Sequence, residues 1–364
     1  MADSQDLRTF GWGPWLARRW EAAVADEGDA EKLVPGRIVA PGRGIHRVAV
    51  EGGELLARPA GRLRAEGVRP AVGDWVAVER LGARDGLIRR VLPRRTKLAR
   101  KVPGARTEEQ VLAADVDRVF LVMGLDGDFS PRRIERLAVV AREGGAEPVV
   151  VLTKADLVGD EELAARIDEV RAAAPGTPVF AVSVPAGRGL EPLAAFLVPG
   201  ETIALLGSSG AGKSTLLNRL VGREVMATGA VREHDSRGRH TTVHRELVVL
   251  PNGSLLIDNP GLREVQLWTE SGEGLEETFE DVEELAAACR FRNCTHRHEP
   301  GCAVREAIEQ GRLDPARLEA YRELAREREA LERRRDEATA RKHGRAGSLM
   351  VRAAKKDKAR RGEE

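Results

Sequence analysis

The chain has 364 residues, 42% of them hydrophobic, with 59 Lys and Arg against 58 Asp and Glu; it exceeds one typical core and suggests two or three domains. No apolar stretch approaches the roughly 18 residues of a membrane-spanning helix, and the N-terminus lacks a charged flank followed by an apolar run, so a cytoplasmic protein with no membrane partner is expected. The net charge of +1 hides an uneven distribution: Pro35 to Arg106 hold 17 basic and 6 acidic residues, and Arg341 to the C-terminus 9 basic and 3 acidic. A domain-sized basic excess of that kind more often meets a polyanion than remains solvated surface.

Residues 1–33 are polar and lean acidic, with Trp12, Trp15 and Trp20. They read as an arm of partial order that lays its tryptophans on a neighbouring domain. Residues 34–104 carry short apolar or alternating runs (GRIVA, IHRVAV, ELLAR, GDWVAVE, GLIRRVL) separated by Gly and Pro. Five short strands without helices predict a small barrel of the oligonucleotide-binding kind. Its basic excess points to RNA. Trp75 is the lone aromatic in these strands and reads as core, so recognition through backbone and shape of structured RNA is favoured over base stacking.

After a linker, VPGARTEEQ, the rhythm changes within residues 105–268. Strand-like RVFLVMG at 118–124, a helix over 131–143, PVVVLTKAD at 148–156, a helix over 160–174 and PVFAVS at 178–183 alternate as in a parallel α/β sheet. ETIALLGSSGAGKSTLLNRLVG, residues 201–222, then reads as strand, glycine-rich turn and helix. Gly207, Gly212, Lys213 and Ser214 fit the phosphate-loop pattern: backbone N–H groups of Gly207, Ser208, Ser209, Gly210, Ala211 and Gly212 curl around the phosphates, with Thr215 next along the helix. Lys213 reaches the β/γ oxygens, Ser214 holds Mg²⁺, and the helix directs its positive end at the anion.

Three further motifs bear on which nucleotide is bound. Thr153, Lys154, Ala155 and Asp156, TKAD, resemble the NKxD motif of guanine-nucleotide-binding proteins, in which the Asp carboxylate accepts from the N1 and N2 hydrogens of guanine. Thr153 takes the place of Asn, which puts the loop-fixing hydrogen bond in question. Asp258 and Gly261 in DNPG resemble the DxxG motif, with Asp258 on Mg²⁺ and the Gly261 N–H on the γ-phosphate; Thr241 or Thr242 in GRHTT is the switch threonine for Mg²⁺. TKAD, with Ser183 of the fifth guanine motif, precedes the phosphate loop, whereas most GTPases have the opposite order. The domain therefore reads as circularly permuted.

Residues 269–342 contain Cys289-x4-Cys294-x-His296-x5-Cys302, three thiolates and one imidazole in 14 residues, the closed Cys₃His set of a structural zinc site. A helix begins near Asp314, with Leu318, Tyr321, Leu324 and Leu331 at helical spacing, and is expected to pack on the zinc module. Residues 343–364 form a basic, glycine-punctuated tail, expected to be disordered in the free protein and able to fold on RNA.

The permuted order, GRHTT, DNPGLREVQLW and the cysteine cluster together resemble the ribosome-small-subunit-dependent GTPase A family, also called RsgA or YjeQ. Val184 departs from the alanine that usually follows the fifth-motif serine. The resemblance implies a monomeric GTP-hydrolysing factor, binding GTP and GDP with Mg²⁺ and one Zn²⁺ per chain. It would act late in small-subunit assembly and contact rRNA through its flanking domains. Leu262 stands where Ras-like enzymes have a water-orienting Gln, so His240 is the catalytic candidate. The competing reading is an RNA-binding zinc protein in which bound nucleotide is structural.

Overall fold

The computed structural model describes residues 6–101, 109–222, 246–258, 273–333 and 336, apart from residues 26, 28 and 43, and gives the backbone alone for Lys101 and Asp258. A 3-10 turn, Leu7–Phe10, and helix α1, Pro14–Val24, precede the barrel. These described residues of the arm are regular structure where partial order was expected. The cause is tertiary: Trp12 meets Trp75 at 5.0 Å between ring centroids, and Leu7 and Phe10 are buried.

Strands β1 (Leu33–Ala40), β2 (His46–Val50), β3 (Gly53–Pro59), β4 (Trp75–Arg80) and β5 (Asp85–Val91) close a barrel in the order β1-β2-β3-β5-β4. All neighbours are antiparallel except β3 and β5. Ile38, Val48, Leu55, Val78 and Ile88 fill it, as the inward half of an alternating pattern must. One helix, α2 (Gly61–Ala65), lies between β3 and β4, a correction to the helix-free reading; five residues with only Leu63 buried leave no periodic signal.

Strands β6 (Lys97–Lys101) and β7 (Glu109–Ala114) pair with each other, so Glu109 and Gln110, which read as linker, belong to a ladder. Next come β8 (Arg118–Gly124), α3 (Pro131–Glu143), β9 (Glu147–Thr153), α4 (Asp160–Ala173), β10 (Val179–Ala181), α5 (Leu190–Phe196), β11 (Thr202–Leu206), α6 (Lys213–Val221), β12 (Glu246–Val249) and β13 (Leu255–Asp258). They form one sheet ordered β10-β9-β8-β11-β13-β12, parallel except for the edge strand β12. Continuous apolar runs such as Val119–Val122, essentially inaccessible, are what a sheet covered on both faces demands. From β8 the chain winds one way to β9 and β10; β11 starts the other half. The carboxyl ends of β8 and β11 therefore flank the crevice at the point where strand order reverses, the place where open α/β sheets bind ligands.

Helices α7 (Glu273–Thr278), α8 (Glu280–Ala287), α9 (Ala303–Glu309) and α10 (315–333) complete the described chain. Gly274 lets α7 touch α3: a Cβ there would lie 2.4 Å from the Glu143 nitrogen. Asp314 caps α10 by accepting from the Ala316 N–H (2.8 Å). As expected, α10 packs beside the cysteine cluster, where Arg322 donates to the His296 carbonyl (2.5 Å). It also packs on α3, through paired Arg136–Glu327 hydrogen bonds of 2.9 and 2.7 Å. Leu318 and Leu324 join the same apolar cluster as Ile134, Val139, Cys302 and Phe10, so one core runs from the arm to α10. No helix among the described residues is long and apolar enough to cross a membrane.

Candidate functional site

The turn between β11 and α6 lies against the end of β8. Gly207 has φ 152°, and a Cβ there would sit 2.2 Å from the Val122 carbonyl oxygen, so only glycine permits this approach. Gly212, at φ 85°, reverses the chain into α6, whose first residues are Lys213, Ser214 and Thr215. Lys213 is buried; its ammonium donates to the Gly207 carbonyl (2.7 Å) and to that of Ser208. The N-terminal amides of α6, together with the turn from Gly207 to Gly212, could hold an anion, and Ser214 on the first turn of α6 could hold a metal bound to it.

The TKAD motif closes β9 next to this turn. The Thr153 hydroxyl donates to the Ala211 carbonyl (2.6 Å), with the Met123 carbonyl 3.3 Å away. The loop-fixing bond placed in question by the loss of Asn is therefore made, by a hydroxyl in place of an amide. Lys154 adopts the left-handed region at φ 60°, and Ala155 is buried, its N–H bonded to the Val182 carbonyl (3.1 Å). Asp156 is exposed, and the nearby hydroxyl of the fully buried Ser183 holds its carboxyl below the usual range. Ser183 in turn accepts from the Ala186 N–H (3.2 Å). Val184 is half-buried, so the departure from alanine is absorbed by packing.

Two carboxylates that sequence reasoning missed lie in the loop between β8 and α3. Asp126 pairs with the Lys154 ammonium, and Asp128 accepts from the Ser208 hydroxyl and from Arg133 (2.7 Å). Each carboxyl is held below its ordinary range, chiefly by Lys154 for Asp126 and by Arg133 for Asp128. No motif pattern includes them. The one available signal was their position, directly after a strand adjacent to the phosphate loop.

On the other side of β11, the last residue of β13 is Asp258, its backbone paired with Glu246. His240, Thr241, Thr242 and Gly261 lie outside the described residues.

The cysteine cluster is assembled. Cys289 Sγ and Cys302 Sγ are 3.9 Å apart, His296 Nδ1 lies 3.6 and 3.5 Å from them, and with Cys294 the four ligand atoms fall within 4.8 Å. A tetrahedral ion bonded at about 2.3 Å to sulfur and about 2.0–2.1 Å to nitrogen requires S–S separations of about 3.8 Å and S–N separations of about 3.6 Å. The separations among Cys289, Cys302 and His296 fit such an ion, with Nδ1 as the imidazole donor and Cys294 at hand as the fourth ligand. His298 is not part of the group.

A phosphate loop, a guanine-type acidic motif fastened to it by Thr153, and a sheet in which that motif precedes the loop define a circularly permuted GTPase. The RsgA GTPase family model matches residues 91–268. The small ribosomal subunit biogenesis GTPase RsgA of Opitutus terrae is 47% identical over 348 residues, 92% of this chain and 93% of that protein. Among solved structures, YjeQ from Thermotoga maritima is similar with a TM-score of 0.62 and 27% identity, covering 81% of this chain and 98% of that one. YloQ, described as a circularly permuted GTPase, shares the fold at a TM-score of 0.59 and 24% identity, covering 84% and 96%. The chain belongs to the RsgA GTPase family.

Proposed function

We propose that this protein hydrolyses GTP to GDP and phosphate while bound to the small ribosomal subunit, and assists the late maturation of that particle. The observation that carries the reading is the Thr153–Ala211 hydrogen bond: it joins a base-reading carboxylate, Asp156, to a phosphate cradle in one rigid unit, with the permuted order of the family. Asp156 takes the guanine edge, with Lys154 beside it and Ser183 aiming the carboxylate. Gly207 to Thr215 hold the phosphates, and Lys213 neutralises them. Mg²⁺, bound with GTP, would be held by Ser214, Asp258 and Thr241 or Thr242, with Gly261 on the γ-phosphate. Zinc is the ion that suits three thiolates and an imidazole at these spacings, and its closed shell assigns it a structural role. Metal analysis should find about one zinc per chain.

The modules are residues 34–104, 105–268 and 269–342, preceded by the arm and followed by the basic tail, and the protein works as a cytoplasmic monomer. The barrel and the tail take rRNA through their basic excess. Leu262 cannot orient water, so catalysis needs another group; His240, in the switch segment, is that group, completed when the subunit binds. Single-turnover GTP hydrolysis should rise by about 10³ to 10⁵ on adding purified small subunits. His240→Ala should lose most of that rise. Equal rates with and without subunits would contradict the proposal, and full stimulation of His240→Ala would remove His240 from it.

A further inference from the structure

The geometry points to Asp126 as a positioning residue of the nucleotide site: it sets Lys154 against the base, from a loop that Asp128 anchors to the phosphate turn. The inference rests on the nucleotide-site reading above and extends it to a loop that none of the site motifs includes.

Residues 125–130 leave β8 and enter α3, and their own backbone is tightly specified. The Leu125 N–H bonds to the Thr153 carbonyl (2.9 Å), the Asp128 N–H to Asp126 Oδ1 (3.1 Å) and the Phe129 N–H to the Asp126 carbonyl (3.1 Å). Ser130 then caps α3 by accepting from the Arg133 N–H (3.4 Å). Asp126 is thus divided: Oδ1 closes the turn, and Oδ2 is left for the Lys154 ammonium. Asp128 fastens the far side of the loop to Ser208 in the phosphate turn.

Lys154 needs an external hold. As a non-glycine residue at φ 60° it occupies a disfavoured left-handed conformation, and four rotatable bonds let a lysine side chain wander. Neither partner is deeply buried, with side-chain exposures of 33% for Lys154 and 30% for Asp126, so the pair adds little to global stability. Its consequence is local. With the ammonium fixed, the aliphatic stem of Lys154 is presented as a preformed wall next to Asp156, and a nucleotide binding there does not have to order it. Thr153 and Asp128 tie that wall to the phosphate turn from either side.

Asp126→Asn isolates this role. The amide oxygen can still accept from the Asp128 N–H and keep the turn, which places an NH₂ donor opposite the ammonium. Release of a fluorescent GDP should be measured for wild type, Asp126→Asn, Lys154→Ala and the double variant, with melting temperature recorded for each. The expected result is release about tenfold faster in each single variant, unchanged melting temperatures for Asp126→Asn, and a double variant no faster than Lys154→Ala alone. A purely structural role for Asp126 would instead multiply with Lys154→Ala. Multiplying effects, or wild-type release from Asp126→Asn, would overturn the inference alone. A wild-type protein that does not bind GDP would overturn the nucleotide-site reading and this inference together.

Discussion

Two buried arginines fasten the flanking regions to the GTPase sheet, and they do so with different chemistry. Arg37, on β1, is 2% exposed and donates only to uncharged acceptors: the carbonyls of Phe10 (2.5 Å), Gly73 (3.1 Å) and Asp115 (3.1 Å), and the hydroxyl of Thr202 (2.8 Å). One guanidinium thereby joins the arm, the barrel, the approach to β8 and the first residue of β11, the strand that leads into the phosphate loop. Burial pulls its pKa down to about 10. Arg317, on α10, is 8% exposed and is held mainly by charge: Glu135 on α3 (2.8 Å) and both oxygens of Asp281 on α8 (2.7 and 2.9 Å). The carbonyls of Ala173 and Thr278 take its remaining donors, and its guanidinium lies 4.5 Å from the Phe279 ring. The first junction is a hub of dipoles and the second a buried ion network. Removing the arginine therefore leaves different debts.

The largest effect should come from Arg317→Met. It strands the buried Glu135 carboxylate without the arginine that pairs with it, and breaking a buried pair from one side costs about 3–5 kcal/mol. Burial already holds the Glu135 carboxyl above its ordinary range against the pull of Arg317, so without the arginine it should rise further. Acid should then relieve the variant, and Glu135→Gln should rescue part of its loss. Arg37→Met strands neutral hydrogen-bond acceptors and takes a nearby positive charge from Asp115, to which it donates only through the backbone carbonyl; it should cost less, about 1–3 kcal/mol, with a smaller relief by acid. Urea denaturation of both variants at neutral and mildly acidic pH checks the ranking; equal losses with the same pH response would erase the distinction.

A smaller effect sharpens the Arg37 side. Asp115 lies beside that hub at φ 49°, accepts from the Arg95 N–H (2.8 Å) and is pushed by burial up to about 6 from an ordinary value near 3.8. The folded state therefore holds this proton more tightly than the unfolded chain. Its contribution to stability is complete below about pH 4 and is lost as pH rises to about 6. Asp115→Asn keeps the acceptor oxygen, tolerates the left-handed backbone and removes the buried charge. It should melt higher than wild type at pH 7–8 and equally near pH 4. A variant destabilised at neutral pH would show that Arg37 needs the charge.

Much of the sheet was legible because its signals are local. The strand at 118–124 and the helix at 131–143 have the bounds that their apolar runs, Ser130 and Pro131 dictate. The phosphate loop and the cysteine cluster were legible because fixed spacing carries their chemistry. What escaped is set by distant partners. Nothing near Arg37 or Arg317 in sequence distinguishes them from the many surface arginines, and the arm's tryptophans pointed to a neighbouring domain without showing that the arm would be ordered, because Trp75 and Arg37, which hold it, lie in the barrel. Thr153 looked like a departure from its motif; its hydroxyl reaches the Ala211 carbonyl only because the fold brings the end of β9 and the phosphate turn together across the end of β8. Asp126 and Asp128 were invisible for the same reason. The Cys₃His group is likewise not a core of its own, since Cys302 packs into the cluster that holds Ile134 and Phe10, which no local spacing indicates.

The central claim is that Asp156, aimed by Ser183 and tied through Thr153 to the phosphate turn, makes this a guanine site. Asp156→Asn replaces an acceptor for the N1 and N2 hydrogens by a group that suits the 2-oxo edge of xanthine. Equilibrium binding of GDP and XDP to wild type and Asp156→Asn is the direct measurement. The account predicts preference for GDP in the wild type and for XDP in the variant, with binding of phosphates alone unaffected. Unchanged GDP affinity in Asp156→Asn would contradict it.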